Sequence, residues 1–514
     1  MDTLIIGSGI NGLVAAAELA LQRQKVLVVE SLNRPGGAVR TEALTLDGFR
    51  HDVAAMNLSM FAGSGFAKKH ETLLRQHGLE FVPVNKPFAS AHPDGHYFGV
   101  STDLQDTLAT IREKADRDTW VREFNAFSKR AEALGALLSS PMNWTSLSCI
   151  GWKTFRSLGR GASLDLLRLL FMSPREWACE NFTDPFLQAA VATWGLHLDF
   201  APDISGGAVF PYLESFGSQA MGLVIGKGGS ATITNALISI IQAQGGEIRC
   251  NARVQEILTA GDQVSGVRLE NGDTIAAKRV IANLAPSGLQ ALLPHGTDQP
   301  RFDKGLRQFR HAPGTMMIHL ALSDLPAWKA HELREFAYVH LGPSLAGLAQ
   351  TYQQAQAGLL PSEPVLVVGQ PTVFDPSRAP EGKHTLWVQV RCLPAKILGD
   401  AKAAIEGNDW TEIKEAYADR VIALIERYAP DLSSRILKRT VVSPLDLQAD
   451  NSNLVGGDQI SGSHHLAQNF LFRPVRGFAD GSTPIKGLYM ASASVWPGAG
   501  TGAGAGQLLA KRLS

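Results

Sequence analysis

The sequence predicts an α/β fold: a parallel sheet layered with helices, joined to a second lobe with a mixed sheet and a helical part. Three observations predict it. Residues 3–30 run apolar stretch, glycine-rich turn, alanine-rich helical stretch, second apolar stretch, which is a complete strand–helix–strand unit. Residues 231–283 read as helix, turn, strand, hairpin and strand, and residues 487–506 as strand, glycine-rich loop and closing helix. Between these pieces lie two insertions of different character, and a chain of 514 residues is long enough for two or three lobes. The expected division is one discontinuous domain from 1–65, 221–295 and 478–514, and a second from 66–220 and 296–477, helical at about 103–200.

Thr3-Leu4-Ile5-Ile6 reads as a buried strand entering Gly7-Ser8-Gly9-Ile10-Asn11-Gly12. Each glycine has a mechanical reason: Gly7 for the tight turn, Gly9 for close approach of backbone to a pyrophosphate, Gly12 for close helix–strand contact. The helix that follows offers unpaired N–H groups and a positive dipole end to phosphates, through Ile10 and Asn11. A second strand, Lys25 to Val29, ends on Glu30, placed to accept hydrogen bonds from a ribose diol. Held between two strands and followed by the acid, this GxGxxG is a Rossmann-like dinucleotide site; by itself it does not separate FAD from NAD.

The residues after Glu30 do. Ser31 to Thr41 carries the pair Gly36-Gly37 and then Arg40-Thr41. The run resembles the extension after the second strand in the amine oxidase and phytoene desaturase group of flavoproteins. The likeness extends to Gly226-Lys227-Gly228-Gly229-Ser230 with the helix, turn and hairpin to Asn283, and to Gly487–Gly506. It is most similar to the phytoene desaturase branch and its phytoene-dehydrogenase-like relatives, through Gly456-Gly457-Asp458, Gln468, Phe472-Arg473-Pro474 and Trp496-Pro497-Gly498-Ala499-Gly500. Ser492 and Trp496 depart from it, standing where relatives carry glycine and histidine.

The resemblance implies a two-dinucleotide-binding-domain flavoprotein that holds FAD with Gly36, Gly37, Arg40, backbone near Val254, and the C-terminal loop at Ser492, Gly500, Thr501 and Gly502. That loop has no cysteine to anchor a flavin, so the FAD is expected to be non-covalent. The implied activity is dehydrogenation or desaturation of an apolar small molecule, with oxygen or a quinone taking the electrons. A flavin amine oxidase, a redox-neutral isomerase or saturase, and a flavin-binding module without turnover remain the alternatives.

The remaining chain supplies the substrate lobe. Phe81–Val84, Tyr97–Val100, 314–322 and 384–391 read as strands, the last two as a half-buried sheet that alternates apolar and polar residues. The helical stretch is rich in aromatic residues, among them Trp120, Trp144, Trp152, Trp177, Phe182 and Trp194, which suit either a core or an apolar tunnel. Arg156, Arg160 and Arg168 among leucines suit either a membrane-facing helix or a solvated one. Lys+Arg and Asp+Glu are both 48, which removes the electrostatic case for nucleic acid. Four scattered cysteines signal neither a metal site nor a redox disulfide. With no signal-like segment and no apolar run long enough to span a bilayer, the expected location is cytoplasmic, with membrane association open.

Candidate polar groups near the flavin are His51, Asp52, Asp458, His464 and His465. The pair His464-His465 is the first choice to take a proton. Arg473 and Arg175 are the candidates for a clamp on a charged substrate, which this reading does not otherwise expect.

Overall fold

A computed structural model describes all 514 residues. The first sheet has five strands, all parallel, in the order Leu488–Met490, Arg279–Ala282, Thr3–Ile6, Val26–Val29, Glu247–Arg249. Thr3–Ile6 and Val26–Val29 are buried along their whole length, as strands covered on both faces must be. One face carries the helices Ile10–Leu21, Ala231–Ala243 and Gly504–Leu513. The other carries the antiparallel strands Val254–Ala260, Gln263–Leu269 and Thr274–Ala276, the last two joined through Asn271-Gly272.

The second sheet has seven strands: Ile436–Val442, Gly314–Leu322, His384–Leu393, Val365–Gly369, Tyr338–Leu341, Phe88–Ala91 and Tyr97–Val100. It is mixed, because Tyr338–Leu341 runs parallel to Phe88–Ala91 while its other pairings are antiparallel. The expectation of a half-buried sheet is corrected here. All nine residues of Gly314–Leu322 are buried, because the helix Trp410–Glu426 covers one face and the helical lobe the other. The two-residue period of a strand then sorts side chains between two apolar layers rather than between core and water. Leu386, Val388 and Val390 enter the layer under the Trp410 helix, while Trp387, Gln389 and Arg391 face the helical lobe.

The helical lobe is built on Lys114–Leu138 and Trp144–Phe171. The second is not continuous: Gly159, at φ 77°, breaks it, so the stretch around Arg156–Leu170 is not one helix. Its aromatic residues divide in two. Trp120, Trp177, Phe182 and Trp194 are buried in the core, whereas Trp144 is 75% and Trp152 61% exposed. Asp116, fully buried, ties the lobe together by accepting from the N–H groups of Thr183 and Asp184 and from the Thr183 hydroxyl.

Candidate active site

A single cavity of about 920 Å³ runs from the glycine turn of the first sheet to the sheet and helices of the second lobe. At its nucleotide end stand Gly7, Gly9, Ile10, Asn11, Glu30, Gly37, Arg253 and Asn283. Gly9 precedes the helix Ile10–Leu21, whose first N–H groups have no intrahelical acceptor and face this space. A Cβ on Gly9 would stand 2.8 Å from Asn283 Nδ2, and one on Gly37 2.9 Å from Gly9 Cα. The two backbones therefore meet in a cradle that side chains would fill, which fits a pyrophosphate. Asn283 braces the turn by donating to the carbonyls of Gly7 and Gly9, each at 3.2 Å.

Glu30 is buried and lines the cavity. It accepts from Ser8 N at 3.0 Å, Ser8 Oγ at 2.6 Å, Leu32 N at 3.0 Å and Ser31 Oγ at 3.1 Å. Two of those donors are rotatable hydroxyls, which a ribose diol can replace.

Several expected binding residues take supporting places outside the cavity wall. Gly12 lies inside the helix, where a Cβ would meet Gly7 O at 2.6 Å, so it serves helix–strand contact. Gly36 donates its N–H to Ser8 Oγ. Arg40 is buried and paired with Glu42 and Asp450. Val254 enters the core under the sheet, and its neighbour Arg253 reaches the cavity. Gly502 rests against Met60. Ser492, Gly500 and Thr501 do line the wall. So do Asp450, Asn451, Ser452 and Asn453, a loop of the second lobe for which no sequence motif spoke.

His464 and His465 require correction. His464 is buried at the cavity wall, but its Nε2 accepts from Ala499 N–H at 3.1 Å and its Nδ1 has no partner. Burial and the Arg473 charge hold it far below the ordinary histidine range, so it is a neutral post for the glycine-rich loop. His465 lies outside the wall and donates from Nε2 to Asp199 O at 2.6 Å. Neither has a free acceptor nitrogen facing the cavity.

The other candidates are structural. Asp52 joins Arg378, itself fully buried and bonded to Asp375 and the Gly226 carbonyl. His51 bonds Thr45 Oγ1, and Asp458 accepts from His311 and three backbone N–H groups. Arg473 donates to four carbonyls, those of Ser461, Gly462, Ser463 and Ala493, and Arg175 pairs with Asp203.

Two charged groups face the far end of the cavity, and neither was singled out in the sequence. Glu214, on the helix Val209–Met221, makes no hydrogen bond or ion pair with the protein, and its burial among apolar side chains pushes it up to about 7. Arg391, on the strand His384–Leu393, spends one nitrogen on His197 Nδ1 at 3.0 Å. Tyr338 feels both charges. The signal for Arg391 was the alternation at 386–391, whose polar side is turned inward. Glu214 had none beyond being a lone acid in an apolar helix, Val209-Phe210-Pro211-Tyr212-Leu213-Glu214.

A glycine cradle at a helix start, an acid closing the second strand, and one cavity joining them to an enclosed apolar chamber define a dinucleotide-dependent enzyme acting on a bound organic molecule. Residues 10–434 match the family model for flavin containing amine oxidoreductase, and the chain belongs to that family. Within it the chain is phytoene-desaturase-like. It is 25% identical over 510 residues to the neurosporene-forming phytoene desaturase of Cereibacter sphaeroides, covering 97% of this chain and 91% of that one. It is 26% identical over 552 residues to pyridine nucleotide-disulfide oxidoreductase domain-containing protein 2 of Rattus norvegicus, covering 98% and 92%. An oxidoreductase from Methanosarcina mazei superposes with a TM-score of 0.64 at 17% identity over the whole of both chains, a likeness of fold. The protein is an FAD-dependent oxidoreductase.

Proposed function

We propose that this enzyme dehydrogenates an apolar organic substrate held in the chamber between the helical lobe and the seven-stranded sheet. The observation that carries the reading is the continuity of the cavity, whose walls pass from the nucleotide cradle to Phe127, Leu134, Leu170, Trp194, Phe210 and Trp387. Bound non-covalently along the cradle, FAD supplies the acceptor for a hydride leaving a substrate carbon. Glu30 would hold its ribose, and the start of the helix Ile10–Leu21 its pyrophosphate. Glu214 takes the proton from the carbon beside the one oxidised, since it is the unpartnered carboxyl in the chamber and sits near neutrality. The final electron acceptor would be oxygen or a quinone.

The test is single-turnover reduction of the FAD-loaded enzyme by candidate hydrocarbons and amines. Flavin bleaching by a long apolar substrate supports the reading, and acid precipitation should leave FAD in the supernatant. Bleaching by small amines alone would replace it with amine oxidation. Turnover without bleaching would point to isomerisation. For an accepted substrate, the rate should rise with pH through about 7, as Glu214 loses its proton. Glu214→Gln should lower it by about 10²–10⁴ and remove that inflection.

A further inference from the structure

We infer that the substrate carries a carboxylate, received by Arg391, on an otherwise apolar body. The inference rests on the proposed dehydrogenation of an apolar molecule in this chamber and narrows its chemistry. Arg391 pairs with no carboxylate in the protein. Its guanidinium gives Nη2 to neutral His197, its Nε is buried without a partner, and its Nη1 makes no hydrogen bond, while the residue lines the chamber. Cys392 and Tyr338 beside it are both pushed up by burial and stay uncharged. Asp458 acts on Arg391 and Arg473 alike but bonds neither; its oxygens are taken by His311 and three backbone N–H groups. Asp199 is occupied by Tyr352 and His465. Arg391, lining the chamber, is thus left without a carboxylate bonded to its guanidinium.

Burial lowers Arg391 only to about 10, so the charge persists at neutral pH. A half-buried cation without a counter-charge is costly, and a carboxylate oxygen is the partner that a charge-assisted bond from Nη1 suits best. Among the residues at this end, His197 Nε2, Trp387 Nε1 and Gln459 Nε2 are unpartnered donors and Gln389 Oε1 an unpartnered acceptor, all of them buried. Glu214, which also lines the chamber, makes no ion pair with the protein, so it is a second, separate charged group there. Residue spacing along the strand sets this up, with Trp387, Gln389 and Arg391 projecting to one side.

The experiment is fluorescence titration of the FAD-loaded enzyme with cis-parinarate and with its methyl ester, flavin content being read by absorbance in the same samples. The acid should bind about 10- to 100-fold more tightly than the ester. Arg391→Gln should bring the acid-to-ester affinity ratio close to one, and Arg391→Lys should retain part of the preference. Equal binding of acid and ester by the unmutated enzyme, a comparison that needs no variant, overturns the inference and leaves the apolar-substrate reading standing. Displacement of the ester by hexadecylamine in preference to palmitate also overturns it. Binding of neither probe by a flavin-loaded enzyme removes both readings.

Discussion

Arg378 shows how a residue without a motif can hold the site together. Its guanidinium joins Asp52, from the stretch that leaves the nucleotide cradle, to Asp375 on the second lobe, and caps the carbonyl of Gly226. Asp52 also accepts from Ser230 N and Thr41 Oγ1, so one buried network spans three distant segments. Arg378→Met would leave two buried carboxylates without their cation. The expected cost is about 3–5 kcal/mol, read as a lowered midpoint in urea. A variant of unchanged stability would show that the network contributes packing alone. Asp52 was legible as a candidate polar group near the flavin, but its partner lies 326 positions away. Nothing local distinguishes a catalytic carboxylate from one end of such a joint. Glu214 and Arg391 escaped notice for the converse reason. A lone acid or base in an apolar stretch reads as a solvated face until the layer over it is known.

Among the elements, the broken helix Trp144–Phe171 is the exception to the burial logic of the rest. Trp144, Trp152, Phe155, Leu164, Leu167 and Phe171 are exposed on it, beside Arg156 and Arg160. The lobe that carries them also supplies chamber walls at Phe127, Leu134 and Leu170. No helix of the protein is long and apolar enough to cross a membrane. If this helix pair meets a lipid surface, its aromatic side chains would stand at headgroup depth and its arginines toward anionic lipid. The combined substitution Trp144→Ser, Trp152→Ser, Phe155→Ser should reduce cosedimentation with anionic phospholipid vesicles by about tenfold or more, from the apolar area removed. Thermal stability should be unaffected, because these side chains are not in the core. Equal cosedimentation of the variant and the parent would exclude this helix as the contact.

For the whole molecule, the buried histidines set the response to acid. Burial lowers His51 to about 4 and His319 and His340 to about 3, while His197 and His464 are held far down by burial and nearby arginines. Unfolded histidines take up protons near 6.5 and the folded ones do not, so the stability they contribute is intact above 6.5 and declines as pH falls toward 4. Each gives a slope of up to about 1.4 kcal/mol per pH unit in that window. Glu214 works in the opposite sense, since its folded form holds a proton up to about 7 and its charging costs stability as pH rises. The melting temperature should therefore fall from pH 6.5 to 4, and His319→Phe should make that fall shallower. An identical slope in the variant would place the acid sensitivity elsewhere.

Local sequence determined the nucleotide end of this protein because its chemistry is local. A turn that only glycine can make, a helix start and an acid closing the next strand lie within thirty residues, so strand, helix and cradle are readable in order. The strands 314–322 and 384–391 were readable too, from their period of two. Which face of those strands looks inward was not, because both faces are covered and only the packing of the Trp410 helix and the helical lobe decides between them. The same holds for His464 and His465: adjacency in the chain suggested a pair, whereas the fold sends one to Ala499 and the other to Asp199. The substrate end is assembled from a helix at 209–221 and strands at 338–341 and 384–393, segments that no spacing rule connects. Contacts across such separations are set by the closure of the whole core, so the chamber and its two charged groups belong to the tertiary structure alone.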